Sequence, residues 1–475
     1  MGGEMSHAHA EENVREQLLV LRQTGNVIPA NSGIDSLNLI LLLVWLLVSP
    51  LVSDASSGRF RVPVFIGVVT SSIWNLFHVR SIGIIGSIGV GMNSVLISVL
   101  AANFIILHDA RTFKRLAFRP ASKSVAAAKP AGGKQSSNAP DRPESIPLAW
   151  EPMPASPSRR LFWSLDLVSS VRAVHWSWKP SPSPPYHQSL SVIRPSRTAT
   201  LPSDLLRFIR GYLLIDLVKC LMIEDPYFLG DTSYGVPPHL SAYIASRHAL
   251  YIYRLLFAVI GIYLAVDLQY ITTKLIQVNI LGPNILGFNA SPNTFLPCWG
   301  SPRAILRKGL RGFWGETWHQ MFRVHFASIG DAVADRVLQD HSRKAQKSSS
   351  ARVWIRVVVS FLLSGVLHAC ASYTLLGPSR PWRSFIFFAI QPIGLAVQSI
   401  SSQIFAGSSV SQKLGSWNAP VRQSLNLVFT VLWLWTLGGI LLDDLDSGGM
   451  WLFEPVPFSI IRCLGFSQDK KIWCW

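Results

Sequence analysis

Long apolar segments constrain this chain more strongly than any other feature of its sequence. A helix needs about 20 mainly apolar residues to cross a hydrocarbon core about 30 Å thick, and eight segments of 17–26 residues meet that need. Only 15% of the residues are charged, against about 25% in an average globular domain, which excludes a disordered chain and disfavours an ordinary soluble enzyme. The sequence predicts an all-α, polytopic transmembrane helical bundle of about eight spans (seven to nine) with interfacial amphipathic helices. The eight segments are residues 36–53, 62–78, 82–107, 205–223, 247–270, 353–376, 384–406 and 424–443.

The net charge of +17 is concentrated in two loops between apolar segments. Residues 109–200 carry fourteen Lys or Arg against five Asp or Glu, and residues 301–352 carry ten against four. Positive loops stay on the cytosolic side of a membrane, where anionic lipid attracts them, so we expect both loops in the cytosol. Nucleic-acid binding is disfavoured because no binding motif accompanies the charge. On this topology the sequon at Asn289 stays unmodified.

Stretches that cannot bury a core separate the apolar segments. Residues 120–158 and 179–203 are rich in Ser and Pro, a composition typical of flexible loops. Between them, residues 159–178 combine helical apolar spacing with three tryptophans, which predicts an interfacial helix; a plain lipid-surface role and a substrate-contacting role both stay open. Residues 274–288 are too interrupted to span and are expected to be re-entrant or interfacial. The predicted organisation is a disordered tail (1–34), N-terminal membrane spans (35–108), a basic cytosolic loop (109–204), a membrane domain with the candidate site (205–466) and a C-terminal tail (467–475).

Neither the cysteines nor the acidic residues have metal-ligand spacing. The five cysteines include no Cys-x-x-Cys pair, so the spacing of a zinc site is missing. The cluster of Asp443, Asp444 and Asp446 lacks the ligand positions and the glycine of a calcium loop. We therefore expect no metal site.

The first candidate for chemistry is the aromatic segment 311–323. On a helix, this segment would have one broad apolar face and one polar face. His319 would then lie one turn from Glu316 and Arg323, so the carboxylate could orient the imidazole. A hydrated histidine on a solvent-facing surface is the open alternative. The apolar face would hold Leu310, Phe313, Trp314, Thr317, Trp318, Met321 and Phe322.

The second candidate is His368, inside the sixth apolar segment. Ser364, Gly365 and Ser372 fall with it on one small, polar stripe of a helix that is otherwise rich in Leu, Val and Phe. An ionisable residue at membrane depth is costly and indicates a functional site by default. A hydrogen bond between two helices is the alternative.

The following span carries a polar stripe of its own. Gln391, Gln398 and Ser402 recur at i, i+7 and i+11 beside Pro392. Such a stripe either lines the same cavity as His368 or pairs between helices, and the spacing leaves both interpretations open.

Together these motifs resemble a known family. Phe313-Trp-x-x-x-Trp-His319, followed about fifty residues later by Ser364-Gly-x-x-His368 in a hydrophobic helix, is similar to the wax synthase-like branch of the membrane-bound O-acyltransferases. The similarity runs over roughly residues 159–466. The resemblance implies that His368 is catalytic and that His319 takes the place of the polar residue in the family's first motif. We expect Trp314, Trp318 and Arg323 to contact the acyl donor, and Ser364, Gly365, Ser372, Gln391 and Gln398 to line the chamber.

The resemblance further implies an acyl-CoA-dependent O-acyltransferase of the fungal natural-product acetyltransferase type. Such an enzyme would transfer acetyl from acetyl-CoA, or a longer acyl group, to a hydroxyl of a terpenoid-type secondary metabolite, with a histidine as general base. Its partners would be acyl-CoA as co-substrate, a hydrophobic alcohol and the lipid bilayer, with no permanently bound cofactor, and it would be a multi-pass protein of the endoplasmic reticulum membrane. Two alternatives are a long-chain wax ester synthase and a lipid or metabolite transporter, although the sequence has no clear hydropathy repeat of the transporter type.

Overall fold

Helices dominate the architecture. A computed structural model describes residues 7–30, 33–52, 54–81, 84–118, 145–178, 191–193, 197–292, 295–338, 350–407, 418–452 and 454–465. Seven of the helical stretches in these residues are long and apolar enough to cross a membrane, which confirms the prediction of a polytopic bundle. They are Ile34–Leu51, Gly58–His78, Gly86–Leu107, Arg247–Leu281, Ser350–Tyr373, Pro381–Phe405 and Ala419–Ser447.

Two small sheets accompany the helices in the residues that the structure describes. The three-stranded sheet is antiparallel, and the two-stranded one is parallel. The five strands are Ile28–Pro29, Val79–Arg80, Lys114–Phe118, Ser145–Pro152 and Ser191–Ile193. The α-helices are His7–Gln23, Leu37–Val48, Asp54–His78, Ile84–Ala101, Pro157–Ser169, Arg197–Met222, Arg247–Lys274, Gly282–Leu286, Arg303–Lys308, Leu310–Gly312, Arg323–Val337, Ser350–Tyr373, Pro381–Ala389, Gln391–Gly407, Asn418–Ser447 and Ile460–Cys463.

The helix Ser350–Tyr373 carries the candidate residue His368. It packs against Ile84–Ala101, Arg323–Val337 and Pro381–Ala389. Its approach to Ile84–Ala101 is close at Gly91, where a Cβ atom would overlap the carbonyl group of Cys370. A glycine here allows two membrane helices to pack backbone against backbone.

One predicted span has an amphipathic character. The helix Arg197–Met222 covers the segment 205–223, but it is not among the seven spans because it carries several charges. Arg207 on its polar side donates to Asp267 of the neighbouring helix at 3.0 Å. Its other side exposes Leu206, Ile209, Leu213 and Leu217, among others.

The segment 274–288 is not a separate re-entrant piece. The helix Arg247–Lys274 continues without a break into one π-helical stretch, Leu275–Leu281, and the span ends there. Gly282, with a φ of +69°, follows and permits the turn that no other residue adopts easily.

The prediction of a disordered tail over residues 1–34 is wrong for the residues that the structure describes. His7–Gln23 is a helix, and it buries Ala10, Val14 and Leu18, which recur at the i, i+4, i+8 spacing of one helix face. The ring nitrogen Nε2 of His7 lies 2.8 Å from the carbonyl oxygen of Leu452. Most residues of this segment are polar, so its few apolar residues did not indicate a buried helix face.

The predicted interfacial helix 159–178 is shorter and more deeply placed than expected. The helix is Pro157–Ser169, and a lipid-surface role for its tryptophans is wrong. Trp163 and Trp176 are fully buried, with ring centroids 4.8 Å apart, and they pack in one cluster with residues of the first and third spans. Indole rings suit a core as well as an interface, so composition alone could not separate the two.

The segments predicted to be flexible loops, residues 120–158 and 179–203, fall partly outside the described residues, and the predicted C-terminal tail 467–475 falls wholly outside them. Within the described part, Ser145–Pro152 is a strand paired antiparallel with Lys114–Phe118. The prediction that residues 120–158 form one flexible loop is therefore wrong at its C-terminal end.

Candidate active site

His368 lies on a face of the central helix that is distinct from the lipid-facing side. Phe361, Ser364 and His368, at helical spacing, are half-buried, so this face is neither fully packed nor fully exposed. One turn beyond His368, Ala371 is 4% exposed and Ser372 is not exposed at all. This face of the helix is therefore closely packed just past the histidine.

The imidazole of His368 is held by stacking and leaves its nitrogens free. Its ring lies parallel to that of Phe388, with centroids 4.2 Å apart and an angle of 8° between the planes. Neither ring nitrogen hydrogen bonds to any residue that the structure describes, and neither is sealed from open space. A histidine held in this way can exchange a proton with a substrate, whereas the alternative of a hydrogen bond between helices is not observed.

His319 does not lie on the helix expected for residues 311–323. The helical path changes to a π-helical stretch, Phe313–Thr317, and ends at Trp318, whose backbone is extended. Two hydrogen bonds draw the chain away: Gly300 N–H donates to Thr317 O at 3.0 Å, and Thr317 Oγ1 donates to Ser301 O at 3.0 Å. The prediction of one amphipathic helix over residues 311–323 is therefore wrong. The spacing of apolar residues within a segment contains no information about hydrogen bonds to residues outside that segment.

The polar neighbours expected for His319 are engaged elsewhere. Glu316 forms an ion pair with Lys308, and the guanidinium of Arg323 donates to the carbonyl oxygen of Gly315 and to the side chain of Gln320. The expectation that Glu316 orients His319 is therefore wrong.

Aromatic side chains surround His319 instead. Its ring centroid lies 5.7 Å from that of Trp299, 5.4 Å from Trp318 and 6.3 Å from Phe322. Burial lowers the pKa of His319 to about 4, so the imidazole is neutral at pH 7. Its Nδ1 is buried without a partner among the described residues, while Nε2 retains exposed surface. The alternative of a hydrated histidine on a solvent face is wrong.

The two histidines share one region although 49 positions separate them in sequence. A positive charge on His319 would disfavour a positive charge on His368, so the two imidazoles lie within electrostatic reach of each other. Trp314 joins the two motifs, because its ring lies 5.9 Å from Phe388 and 5.6 Å from Phe361. The segment around His319 and the helix of His368 are therefore neighbours, and we take them as the two walls of a candidate chamber.

Gln391 and Gln398 stabilise these walls rather than line open space. The Gln391 amide oxygen accepts from Trp314 Nε1 at 3.0 Å and Trp433 Nε1 at 3.1 Å, and its amide nitrogen donates to Phe387 O at 2.8 Å. Gln398 accepts from the backbone of Leu310 at 2.9 Å. Both glutamines are buried. The lining role predicted for them is wrong, and pairing between helices is the correct alternative.

The remaining predicted chamber residues divide in two. Ser364 is half-buried beside His368 and fits a lining position. Gly365 is buried, and a Cβ there would lie 3.0 Å from Phe385. Ser372 is fully buried as well. These two residues close the packing around the chamber, so their predicted lining role is wrong.

Two residues of the candidate site, Phe388 and Trp299, were not predicted from the sequence. They belong to no motif, and only the folded chain brings them to His368 and His319.

Among the residues that the structure describes, no group of three or more His, Cys, Asp or Glu side chains could hold a metal ion.

Comparisons with known proteins place both histidines within one family segment. Residues 296–390 match the membrane bound O-acyl transferase family. The chain is 25% identical to the acetyltransferase ple2 of Rhodocybe pseudopiperita (59% of this chain, 65% of that protein). It is 25% identical to the O-Mevalon transferase macI of Penicillium terrestre (59% and 62%) and 27% identical to the O-Mevalon transferase yanI of Aspergillus niger (46% and 46%).

The resemblance to membrane-bound O-acyltransferases is confirmed by these matches. The alignments span less than two thirds of the length of these relatives. No solved structure matches the chain.

Proposed function

We propose that this relative of the membrane bound O-acyl transferases transfers an acetyl group from acetyl-CoA to a hydroxyl of a hydrophobic, terpenoid-type metabolite, with His368 as the general base. The observation that carries the proposal is the state of His368. Its imidazole is oriented by Phe388, has both nitrogens free and lies at membrane depth beside a second, neutral histidine.

The proposed reaction needs a base because an alcohol is a poor nucleophile at neutral pH. A ring nitrogen of His368 takes the hydroxyl proton while the alcohol oxygen attacks the carbonyl carbon of the thioester. The tetrahedral intermediate then breaks its carbon–sulfur bond. The CoA thiolate leaves and receives the proton from the imidazolium, which returns His368 to its neutral form.

In this mechanism His319 stabilises the charge that develops on the carbonyl oxygen. A neutral imidazole carries one N–H, and Nε2 is the nitrogen of His319 that retains exposed surface. A hydrogen-bond donor fixed in advance, in a site that excludes water, acts as an oxyanion hole.

We expect the acyl group to be short. Ala371 and Ser372 are packed one turn beyond His368, so little room is left for a long chain. The name acetyltransferase, borne by the Rhodocybe relative, supports the same choice. The long-chain wax ester synthase becomes an outcome of the test.

The proposed location is the endoplasmic reticulum membrane. The seven apolar helices support a multi-pass protein, and a cytosolic opening of the chamber would meet the cellular CoA pool.

The experiment compares wild-type protein with His368→Gln in membranes that contain equal amounts of each. Glutamine keeps hydrogen-bonding capacity and similar bulk, so a packing role would survive. Transfer from labelled acetyl-CoA to the metabolite pool of the producing organism should fall about 10²–10⁴-fold. His78→Gln, an exposed histidine of the second span, is the matched control and should keep the wild-type rate.

If His368→Gln retains more than about a tenth of the wild-type rate, the base lies elsewhere. If the wild-type protein transfers only long acyl groups, the acetyltransferase assignment gives way to the wax ester synthase.

A further inference from the structure

We propose that Gln391 is the positioning residue of His368, because its side-chain amide fixes Phe388, on which the imidazole stacks, from two directions at once. This inference rests on the proposed function, in which His368 is the general base. Gln391 is fully buried, so it acts through other side chains and not by contact with the substrates.

The orientation of the His368 imidazole depends on the ring of Phe388. A histidine that serves as a base is ordinarily oriented by a third group that hydrogen bonds to its second ring nitrogen. Neither nitrogen of His368 has such a bond to a residue that the structure describes. The parallel stack on Phe388, with centroids 4.2 Å apart and 8° between the planes, therefore sets the plane of the imidazole. A displaced Phe388 ring would turn the base away from the attacking hydroxyl.

The amide nitrogen of Gln391 holds the backbone that carries Phe388. The helix Pro381–Ala389 ends just after Phe388, and the next helix begins at Gln391. Pro392 has no N–H, so it cannot donate to the carbonyl oxygen of Phe388, four residues earlier. The Gln391 amide donates instead to the carbonyl oxygen of Phe387 at 2.8 Å. This bond joins the end of one helix to the start of the next.

The amide oxygen of Gln391 holds a ring that packs beside Phe388. It accepts from Trp314 Nε1 at 3.0 Å. The Trp314 ring lies 5.9 Å from that of Phe388, at an angle of 58°. Without this hydrogen bond the indole is free to move, and Phe388 loses one of the rings that hold it against His368.

A second indole shares the same oxygen and offers an internal control. Trp433 Nε1 donates to Gln391 Oε1 at 3.1 Å. The Trp433 ring stacks on Phe429 at 6.0 Å and packs against Gly394, and among the described residues it has no ring contact with Phe388. Loss of either indole N–H removes one neutral hydrogen bond from one buried oxygen, so the two losses should cost similar stability. They differ in whether Phe388 is released.

The test measures kcat and the KM for acetyl-CoA in membranes that contain equal amounts of each full-length protein. Trp314→Phe keeps an aromatic ring but loses the N–H. It should lower kcat at least about ten-fold, towards the roughly 10²-fold that a misplacement of about 1 Å can cost, and leave the KM unchanged. Such a pattern is typical of an interaction that matters only in the transition state. Trp433→Phe is the matched control and should keep both constants.

Substitutions of Gln391 itself provide a second, independent measurement. Gln391→Met keeps the length of the side chain but loses every hydrogen bond, and it should lower kcat at least as much as Trp314→Phe. Gln391→Glu keeps an acceptor for the Trp314 N–H and should recover part of that loss. A Gln391→Glu variant as slow as Gln391→Met contradicts the positioning role.

A double-mutant cycle separates positioning from a merely structural role. In the His368→Gln background no base is left to misplace, so Trp314→Phe should lower the remaining rate by less than about two-fold. Residues that act as one unit have non-additive effects of this kind. An equal fold-loss in both backgrounds overturns the positioning role, as does an equal loss in Trp433→Phe. A raised KM with an unchanged kcat in Trp314→Phe overturns it too, and would make Trp314 a donor-binding residue.

The failure of this inference is distinct from the failure of the proposed function. If His368→Gln alone keeps the wild-type rate, the base lies elsewhere and the proposed function fails. If His368→Gln loses activity but Trp314→Phe and Gln391→Met do not, the proposed function stands and only the positioning role is wrong.

Discussion

At the scale of single residues, the two histidines differ in what surrounds them. His368 stacks on one ring and keeps both nitrogens free, whereas His319 is enclosed by Trp299, Trp318 and Phe322 with one nitrogen sealed. One free nitrogen suffices for a donor to an oxyanion, but a base must also face the attacking hydroxyl. The environments therefore match the division of roles proposed above.

Replacement of His319 tests the donor role. His319→Ala should lower the rate of acetyl transfer about 10²–10³-fold, the usual effect of losing one oxyanion-hole donor, while the protein still inserts in the membrane at normal levels. His319→Asn restores an N–H donor of smaller size and should recover part of that loss. Full activity of His319→Ala at equal protein levels contradicts the role.

Buried histidines also make stability depend on pH. Burial lowers the pKa values of His319 and His325 to about 4, below the ordinary 6.5, so the unfolded chain binds more protons between these values. Stability then rises with pH across that window and falls as the pH drops through it. From pH 7 to pH 5, each such histidine costs about 2 kcal/mol.

The variant His325→Phe isolates one of these contributions. The His325 ring lies 5.1 Å from Trp178 and 6.0 Å from Phe104, so a phenyl ring suits the aromatic surroundings. We expect the apparent Tm of the solubilised protein to fall less between pH 7 and pH 5 in His325→Phe than in the wild type. An identical fall in both proteins would mean that His325 does not titrate in this way.

At the scale of elements, the conformation predicted from the local apolar pattern differs most from the observed one in the segment around His319. The apolar spacing of residues 310–322 is helical, yet the chain leaves the helix at Trp318 because Thr317 and Gly300 bond to each other. By contrast, His368 lies within a long apolar helix, as predicted, because a span has no alternative to helical hydrogen bonding in lipid. Sequence therefore located the histidine in the membrane but not the conformation around its partner.

Gly309 immediately precedes the helical segment that leads to His319. Its replacement tests whether the conformation of this segment matters for activity. Its φ is +60°, and a Cβ atom there would overlap the side-chain amide of Gln398. Gly309→Ala must therefore strain the backbone and displace the side chain that accepts from Leu310. We expect a lower apparent Tm and a loss of acetyl transfer of at least about ten-fold, because a small misplacement of catalytic groups is costly.

Gly315→Ala is the matched control for this prediction. No atom lies within 4 Å of a Cβ built at Gly315, so the substitution should leave the Tm and the rate near those of the wild type. Equal effects at the two positions would contradict the importance of the Gly309–Gln398 contact.

At the scale of the whole molecule, the sequence predicts the membrane spans best, because the bilayer requires long apolar helices. The apolar lengths alone identify all seven spans, and the spaced histidine motifs identify two segments that the fold brings together. The buried Trp163 and Trp176 and the docked helix His7–Gln23 were not predicted. Their packing depends on surfaces brought from distant parts of the chain, and a tryptophan or a short apolar stripe has no local signal for where it will be buried.

The topology of the whole protein depends on the helix Arg197–Met222. Its 26 residues correspond to about 39 Å, enough to cross a bilayer core. Its outer face is apolar except for the exposed Arg210, whose long side chain can extend to the membrane surface. Its buried Asp216 accepts from Ser459 Oγ at 2.6 Å and from the backbone of Ile461 at 2.9 Å. Partnered charges on the inner face remove the main objection to its crossing.

If this helix and the span Arg247–Leu281 both cross, the basic loops 109–200 and 301–352 lie on the same side. If only the second crosses, the two loops lie on opposite sides, against the preference of positive loops for the cytosol. We therefore expect eight crossings, with the residues between Met222 and Arg247 in the lumen.

A glycosylation cassette inserted at Gly235, which has open space around it, should be modified in microsomes. The same cassette placed in the loop 301–352 should remain unmodified, as should Asn289. A glycan on Asn289, or none on the cassette at Gly235, would place the mouth of the chamber away from the cytosolic CoA pool.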